Sequence, residues 1–409
     1  MSSEKNSCTP KLRFPGFTGE WASKPLSFFL HEHKTKSDGK CEVHSVSVSK
    51  GVINQVEYLG RSFAAADTSK YNLAKPNDII YTKSPTGAFP YGIVKQNKNP
   101  YNVIVSPLYA VYTPVNKFVG YILDSYFESP VNTNNYLESL IQKGAKNTIN
   151  ISNDTFVSKA VCLPVDPAEQ EKIAVCLYEI DALISAQGDK VDALKEHKKG
   201  LMQQLFPKPG ETTPRLRFPE FSGEWAYING DKLFESISNK NHNSDLPILA
   251  LTQDQGAVPR EMINYNVIVS DKSVASYKVV EVDDFIISLR SFQGGIEYSR
   301  YKGLCSPAYI VLRKKSKELC SDFYRIYFKS FNYIQDLNRN LEGIRDGKMI
   351  SYKQFSEIKL PVTSLAEQQK IAECISSLDC VIASETAKLE SLREHKTGLM
   401  QQLFPQSSK

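Results

Sequence analysis

Four residues with metal-binding chemistry fall close together early in the sequence: His31, His33, Cys41 and His44. Imidazole nitrogen and thiolate sulfur are the ligands zinc prefers, but a tetrahedral site needs them at characteristic spacings. This spacing fits no standard site, and the later part of the chain holds no equivalent cluster, so these are read as solvated loop histidines and no metal site is expected. Eight cysteines lie at 8, 41, 162, 176, 305, 320, 374 and 380, with no C-x-x-C pair. Scattered in this way, without a signal peptide, they read as reduced thiols of a cytoplasmic protein. The sequence has no G-x-x-x-x-G-K-[ST] phosphate loop, no G-x-S-x-G elbow, no H-E-x-x-H and no N-P-P-F or D-P-P-Y motif. No catalytic residue is assigned, and the missing set argues against a nucleotide-driven or hydrolytic enzyme.

Another chemistry is more evident. Several loops place cations and amides beside glycine. Lys83-Ser84-Pro85-Thr86-Gly87 has a counterpart in Arg290-Ser291-Phe292-Gln293-Gly294-Gly295, and Lys143-Gly144-Ala145-Lys146-Asn147 pairs with Gly343-Ile344-Arg345-Asp346-Gly347-Lys348. Arg and Lys suit phosphates and guanine edges, Asn and Gln suit adenine, and glycine lets backbone approach closely. The candidate DNA-contacting residues are therefore Lys83, Ser84, Lys143, Lys146, Asn147, Arg290, Gln293, Arg345 and Lys348. The net charge of +5 on 409 residues is compatible with a nucleic-acid partner without requiring one.

The elements that would position these loops come from an internal repeat. Leu12-Arg13-Phe14-Pro15 and Gly19-Glu20-Trp21 return as Leu216-Arg217-Phe218-Pro219 and Gly223-Glu224-Trp225. Leu163-Pro164-Val165 returns as Leu360-Pro361-Val362, and Ala168-Glu169-Gln170 as Ala366-Glu367-Gln368. The segment 196–207 matches 394–405 at every position but one. A unit near 200 residues is too long for a solenoid and implies duplication of a whole domain plus a helix. The ends of each half match, while the interiors, about 26–105 and 230–305, barely do. The ends would then share one structural job, and the interiors would do different jobs of one type.

Residues 169–206 read as one helix. Ile173, Leu177, Ile180, Ile184, Gln187, Val191, Leu194, Lys198, Leu201 and Leu205 alternate steps of 4 and 3, the seam of a coiled coil. The second copy repeats those steps through Ile371, Ile375, Leu378, Ile382, Glu385, Leu389, Leu392, Lys396, Leu399 and Leu403, with its polar interruptions in the same places. Asp166-Pro167-Ala168-Glu169 offers a cap, and Ser364-Leu365-Ala366-Glu367 a capping box. Pro207 and Pro405 end the helices, His197 and His395 sit where a cation suits the dipole, and Gly188 is a soft point. Each helix of about 37 residues would run roughly 55 Å, too long to hide in its own domain. The two would pair antiparallel and hold two globular domains at opposite ends.

Before each helix lie strand-like runs at 78–82, 103–105, 109–112, 284–288 and 309–312, and helix-like runs at 117–129 and 322–331. The fold class is α+β: two mixed, mostly antiparallel-sheet domains, each followed by a long helix, with the helices forming an antiparallel coiled coil of pseudo-two-fold symmetry. The expected boundaries are 1–165, 166–206 (helix), 207–214 (linker), 215–362, 363–405 (helix) and 406–409 (tail). No apolar run is long enough to span a bilayer, so no membrane association is expected.

These features together resemble the specificity (S) subunit of type I restriction–modification systems. The resemblance spans the chain. It rests on the duplicated layout, the Glu169-Gln170-Glu171-Lys172-Ile173-Ala174 and Glu367-Gln368-Gln369-Lys370-Ile371-Ala372 helix entries, the G-E-W start of each half, and the helix ends at 199–206 and 397–404. It implies two target-recognition domains, each reading part of a bipartite, asymmetric site on double-stranded DNA. The paired helices would set the non-specific spacer and dock two methyltransferase (M) subunits, and motor-nuclease (R) subunits would join for cleavage. S-adenosylmethionine, ATP and Mg2+ would be used by those partners, with no cofactor in this chain. The subunit-docking surface would run along Ile173, Leu177, Ile180, Ile184, Val191, Leu194, Leu201, Ile371, Ile375, Leu378, Ile382, Leu389, Leu392 and Leu399. The competing readings are a coiled-coil scaffold that binds proteins without base readout, and a stand-alone enzyme with an unrecognised site.

Overall fold

A computed structural model describes residues 8–143, 149–243, 245–263, 274–289, 291, 295–341 and 350–405. The chain forms two compact units, residues 1–188 with 387–409, and residues 189–386.

In the first unit a four-stranded antiparallel sheet runs in the order Leu30–Glu32, Ala110–Pro114, Ile79–Tyr81, Val94–Gln96. Its third strand is apolar throughout because both faces are covered. Ile79 and Tyr81 join a core with the helix Lys117–Glu128, while Ile80 turns to a second core with Val52, Val103 and Val111. That second core packs the sheet against the hairpin His44–Ser47/Gly51–Asn54 and the pair Asn72–Ala74/Val103–Val105. The strand Ala22–Pro25 pairs with Ala160–Leu163, immediately before the long helix.

The second unit repeats this plan strand for strand. Its sheet runs Phe234–Ile237, Ile310–Lys314, Phe285–Ile287, Glu297–Tyr298. Even the register agrees: Ile79 faces Tyr112 and Gln96, and Phe285 faces Leu312 and Tyr298. Phe285 and Ile287 enter one core and Ile286 the other. The poorly matching interiors thus share one topology, because alternate burial constrains residue class and leaves identity free.

The five strand-like runs all lie on strands, and 117–129 becomes the helix Lys117–Glu128. The run 322–331 is not one helix. It breaks after Tyr327 and resumes as Phe331–Leu341, where Ser330 Oγ accepts the Tyr333 N–H (3.3 Å) in the manner of an N-cap.

The long helices span Pro167–Leu205 and Leu365–Leu403, each unbroken and each shared between the units. In the second unit Lys190 pairs with Glu385 (2.6 Å) and Lys198 with Asp379 (2.5 Å), so the helices run antiparallel. In the first unit Lys396 meets Asp181 (2.6 Å), while Met400 and Leu403 share a core with Ile173 and Leu177. All twenty seam positions are buried or half-buried. Lys198 and Lys396, two of the polar interruptions, sit in the seam because Asp379 and Asp181 neutralise them, a device that fixes register.

Two further sequence expectations need correction. Cys8 and Cys162 are joined in a disulfide, although their 154-residue separation carries no spacing signal. The early histidines are not all solvated. His44 is buried in a strand with Nδ1 on the Glu42 carbonyl (3.1 Å), and His33 Nε2 lies 2.8 Å from the buried Asp78 carboxylate. Among the described residues no group of His, Cys, Asp and Glu could hold a metal ion. Among the described residues no helix is long and apolar enough to cross a membrane.

Candidate nucleic-acid interface

The repeated motifs converge on the start of each long helix. Arg13 donates through Nε and Nη2 to the two oxygens of the buried Glu169 (2.6 and 2.8 Å), and Arg217 does the same to Glu367 (2.8 and 2.9 Å). Each guanidinium also donates to the carbonyl of the glycine in its G-E-W motif, Gly19 or Gly223. Trp21 Nε1 reaches Glu169 (3.2 Å), whereas Trp225 Nε1 is buried without a partner. The expected capping box is therefore only half formed. Glu367 N–H donates to Ser364 Oγ (3.3 Å), but its carboxylate is taken by the bidentate guanidinium, the stronger of the two attractions.

The neighbouring glutamine has its own task. Gln170 Nε2 donates to Pro164 O and its Oε1 accepts from Asn116, the cap of helix Lys117–Glu128. Gln368 donates to Thr363 O and accepts the Cys320 N–H at the head of helix Ser321–Tyr327. The A-E-Q motif thus bolts strand, domain helix and long helix together in each unit. Sequence reasoning found both halves of this clamp as repeats but missed their pairing, because Arg13 and Glu169 lie 156 residues apart.

A second tie lies one step along the helix. Asp181 accepts from Tyr121 OH (2.6 Å) and faces Lys396, which also meets Glu128. The equivalent Asp379 faces Lys198 and Arg325 (3.9 Å). In the first unit Lys98 bridges Asp124 (2.7 Å) and lies over the Tyr121 ring. Burial pulls the Asp124 carboxyl upward, but Lys98 and Lys95 outweigh it and hold it below the usual range. Burial likewise works against the Lys396 ammonium, yet Glu128 and Asp181 keep it above the ordinary lysine value.

On this scaffold the candidate contact residues are placed unevenly. Lys83 and Ser84 are exposed on the loop joining the inner strand Ile79–Tyr81 to the edge strand Val94–Gln96. That loop is pinched shut by reciprocal bonds between Thr86 and Phe89 (2.9 and 3.0 Å) and crosses itself at Gly92. Gly92 has φ +100° and no room for a Cβ against Thr82 O. Partial burial lowers the Lys83 amine, with Glu32 pulling the other way. The backbone of Lys143 lies in the strand Gln142–Lys143, paired with Ile149–Asn150. Lys146, Asn147, Arg290, Gln293, Arg345 and Lys348 lie outside the described residues.

A further surface escaped the sequence reading. The helix Gln55–Leu59, immediately after the hairpin, leaves Val56, Tyr58 and Leu59 at 44–52% exposure, and Phe63 follows at 59% with the Arg61 guanidinium 4.5 Å above its ring. These residues form no periodic stripe, so nothing in their spacing separates them from core.

The fold defines a class: a duplicated α+β protein in which each half ends in a long helix that pairs antiparallel with its counterpart, with cationic and aromatic loops on divergent surfaces. Residues 223–394 match the type I restriction modification DNA specificity domain. Over 276 residues the chain is 27% identical to the MjaX specificity subunit of a type I restriction enzyme from Methanocaldococcus jannaschii, covering 64% of this chain and 62% of that protein. The MjaVIII specificity subunit of the same organism is 23% identical over 287 residues, covering 65% and 67%. The chain thus spans somewhat less than two thirds of the first relative's length. The crystal structure of a type I restriction–modification S subunit from M. genitalium superimposes with a TM-score of 0.59 at 16% identity, covering 98% of this chain and 100% of that one. A chain from a study of type I R-M assembly and conformational transition gives 0.52 at 15% identity, covering 96% and 98%. By these matches the chain is similar to type I restriction–modification specificity subunits, in sequence over its later half and in fold over nearly its whole length.

Proposed function

We propose that this chain is the DNA-specificity subunit of a type I restriction–modification complex, without catalytic residues of its own. Each half reads one part of a bipartite, asymmetric site on double-stranded DNA. The paired helices set the spacer and dock two methyltransferase subunits, with motor-nuclease subunits joining for cleavage. S-adenosylmethionine, ATP and Mg2+ would be used by those partners, with no cofactor in this chain. The observation that carries the reading is the contrast within the repeat: the same strand order and register recur in both units around unlike residues, while the clamps and helix ends are nearly identical. A shared frame with divergent surfaces suits two readers of different half-sites, and identical helix ends suit two copies of one partner. A scaffold that only bound proteins would have no need of the divergence.

The test is to exchange residues 15–160 for those of a relative in the host and map methylated adenines by long-read sequencing. One half-site should change while the other persists. If both halves of the recognised sequence stay as they were, the assignment is wrong.

A further inference from the structure

In both units one element follows the outer hairpin and is anchored in the same way. The Gln55 N–H donates to Val43 O and the Arg260 N–H to Ile248 O, each at 3.0 Å. Val43 and Ile248 in turn form equivalent parallel bridges, to Ile104 and Leu304. A short helical turn begins at each anchor, Gln55–Leu59 in one unit and Arg260–Met262 in the other. The frame is common, but the residues it displays are not. The first turn and the loop behind it show Val56, Tyr58, Leu59 and Phe63, and the second shows Met262 at 61% exposure.

From this we infer that the turn after the hairpin is the base-reading element of each unit, with Tyr58, Leu59, Arg61 and Phe63 specifying one half-site and Arg260 and Met262 the other. The inference rests on the DNA-specificity reading given above and names the residues that would carry it out.

Three observations point to a duplex rather than a protein as occupant. First, a partner present in two identical copies would meet like surfaces, as the helix ends are, whereas these turns are unlike. Second, the segment that carries the first turn has an excess of cations. Residues 34–70 hold six Lys and Arg against four Asp and Glu. Arg61 and Lys50 are exposed, and neither forms an ion pair among the described residues. Third, the Arg61 guanidinium lies over the Phe63 ring. That leaves a planar cation and an apolar edge on one rigid loop, the pairing that reads guanine edges and thymine methyls or wedges between base steps. Tyr58 is steadied by a hydroxyl bond to Ser47 (3.2 Å) and Phe63 N–H by the Gln55 side chain (2.8 Å), so the display is preorganised.

The test is selection from a randomised double-stranded DNA library by the full-length chain and two variants, Y58A/L59A/F63A and R260A/M262A. The unaltered chain should enrich a bipartite motif. Each variant should lose at least tenfold of its discrimination in one half-site, a different one for each, while the other half-site and the spacer persist. Should the triple variant not fold, Phe63→Ser replaces it, since that ring is already mostly in solvent. If both variants enrich the unaltered motif with unaltered discrimination, the inference is overturned while the specificity reading stands. It is also overturned if a variant keeps the motif but loses a protein partner in pull-down, which would make the turn a subunit contact. If the unaltered chain enriches no bipartite motif, the specificity reading itself has failed.

Discussion

Lys198 and Lys396 occupy the same position of the repeat, yet they should not matter equally. The Lys396 side chain is 8% exposed and faces both Glu128 and Asp181, whereas Lys198 is 29% exposed and faces Asp379. Replacing Lys396 by Met preserves most of the packed stem and removes the charge, leaving two carboxylates facing each other. Stranding a fully buried partner costs about 3–5 kcal/mol. Here Asp181 and Glu128 retain 26% and 42% exposure, so water recovers part of that. We expect a loss of about 2–3 kcal/mol for Lys396→Met, against at most about 1 kcal/mol for Lys198→Met, which behaves as a half-exposed pair. With an m-value of about 2 kcal/mol per molar urea, the first should lower the unfolding midpoint by roughly 1 M and the second by under 0.5 M. Circular dichroism at neutral pH is the assay. Because the folded Lys396 ammonium is held above its ordinary value, its contribution is complete at neutral pH and fades only as alkaline pH climbs through the folded value. In a double-mutant cycle Asp181→Asn should cost less in the Lys396→Met background than alone. Equal midpoints for the two lysine variants, or additive costs in the cycle, would refute the argument.

Other outcomes follow from the same geometry. Arg217→Ala should cost about 3–5 kcal/mol by abandoning the buried Glu367, and Arg217→Lys should rescue little of it because the bidentate contact is lost; urea unfolding checks both. Gly188→Ala should stabilise by about 1 kcal/mol, since an added Cβ meets nothing within 4 Å and the helix is continuous there; a raised thermal midpoint is the readout. The Asp124 carboxyl is held low in the fold. Its contribution is therefore present above about pH 4 and lost as pH falls through the folded value, and Asp124→Asn should flatten that acid limb while lowering stability at neutral pH. A non-reducing peptide map should recover Cys8 linked to Cys162, and reductant should separate them.

The long helices were legible because a 4–3 step leaves a signature over ten positions and the duplication repeats it. The sheet strands were legible too, since burial on both faces makes runs such as Ile79–Tyr81 wholly apolar. Partnerships across the chain were not. Arg13 and Glu169, Asp181 and Lys396, and Cys8 and Cys162 are ordinary residues until folding sets them side by side. The early histidines failed in another way: expected to be solvated in a loop, they are drawn to different neighbours by the fold, His33 to the buried Asp78 and His44 into a strand. Loop chemistry in the sequence singles out Lys83, which is exposed, but has no means of noticing Phe63, whose apolar ring is indistinguishable from a core residue until its exposure is known.

The make-up of the two units bears on how the protein is born. Residues 189–386 are one uninterrupted stretch, so that unit has all its material as soon as residue 386 clears the ribosome. The other needs Met400, Leu403 and Phe404 to complete the core begun by Trp21 and Leu26. The part translated first is thus the part finished last. It must wait through the synthesis of some 200 further residues before its core can close.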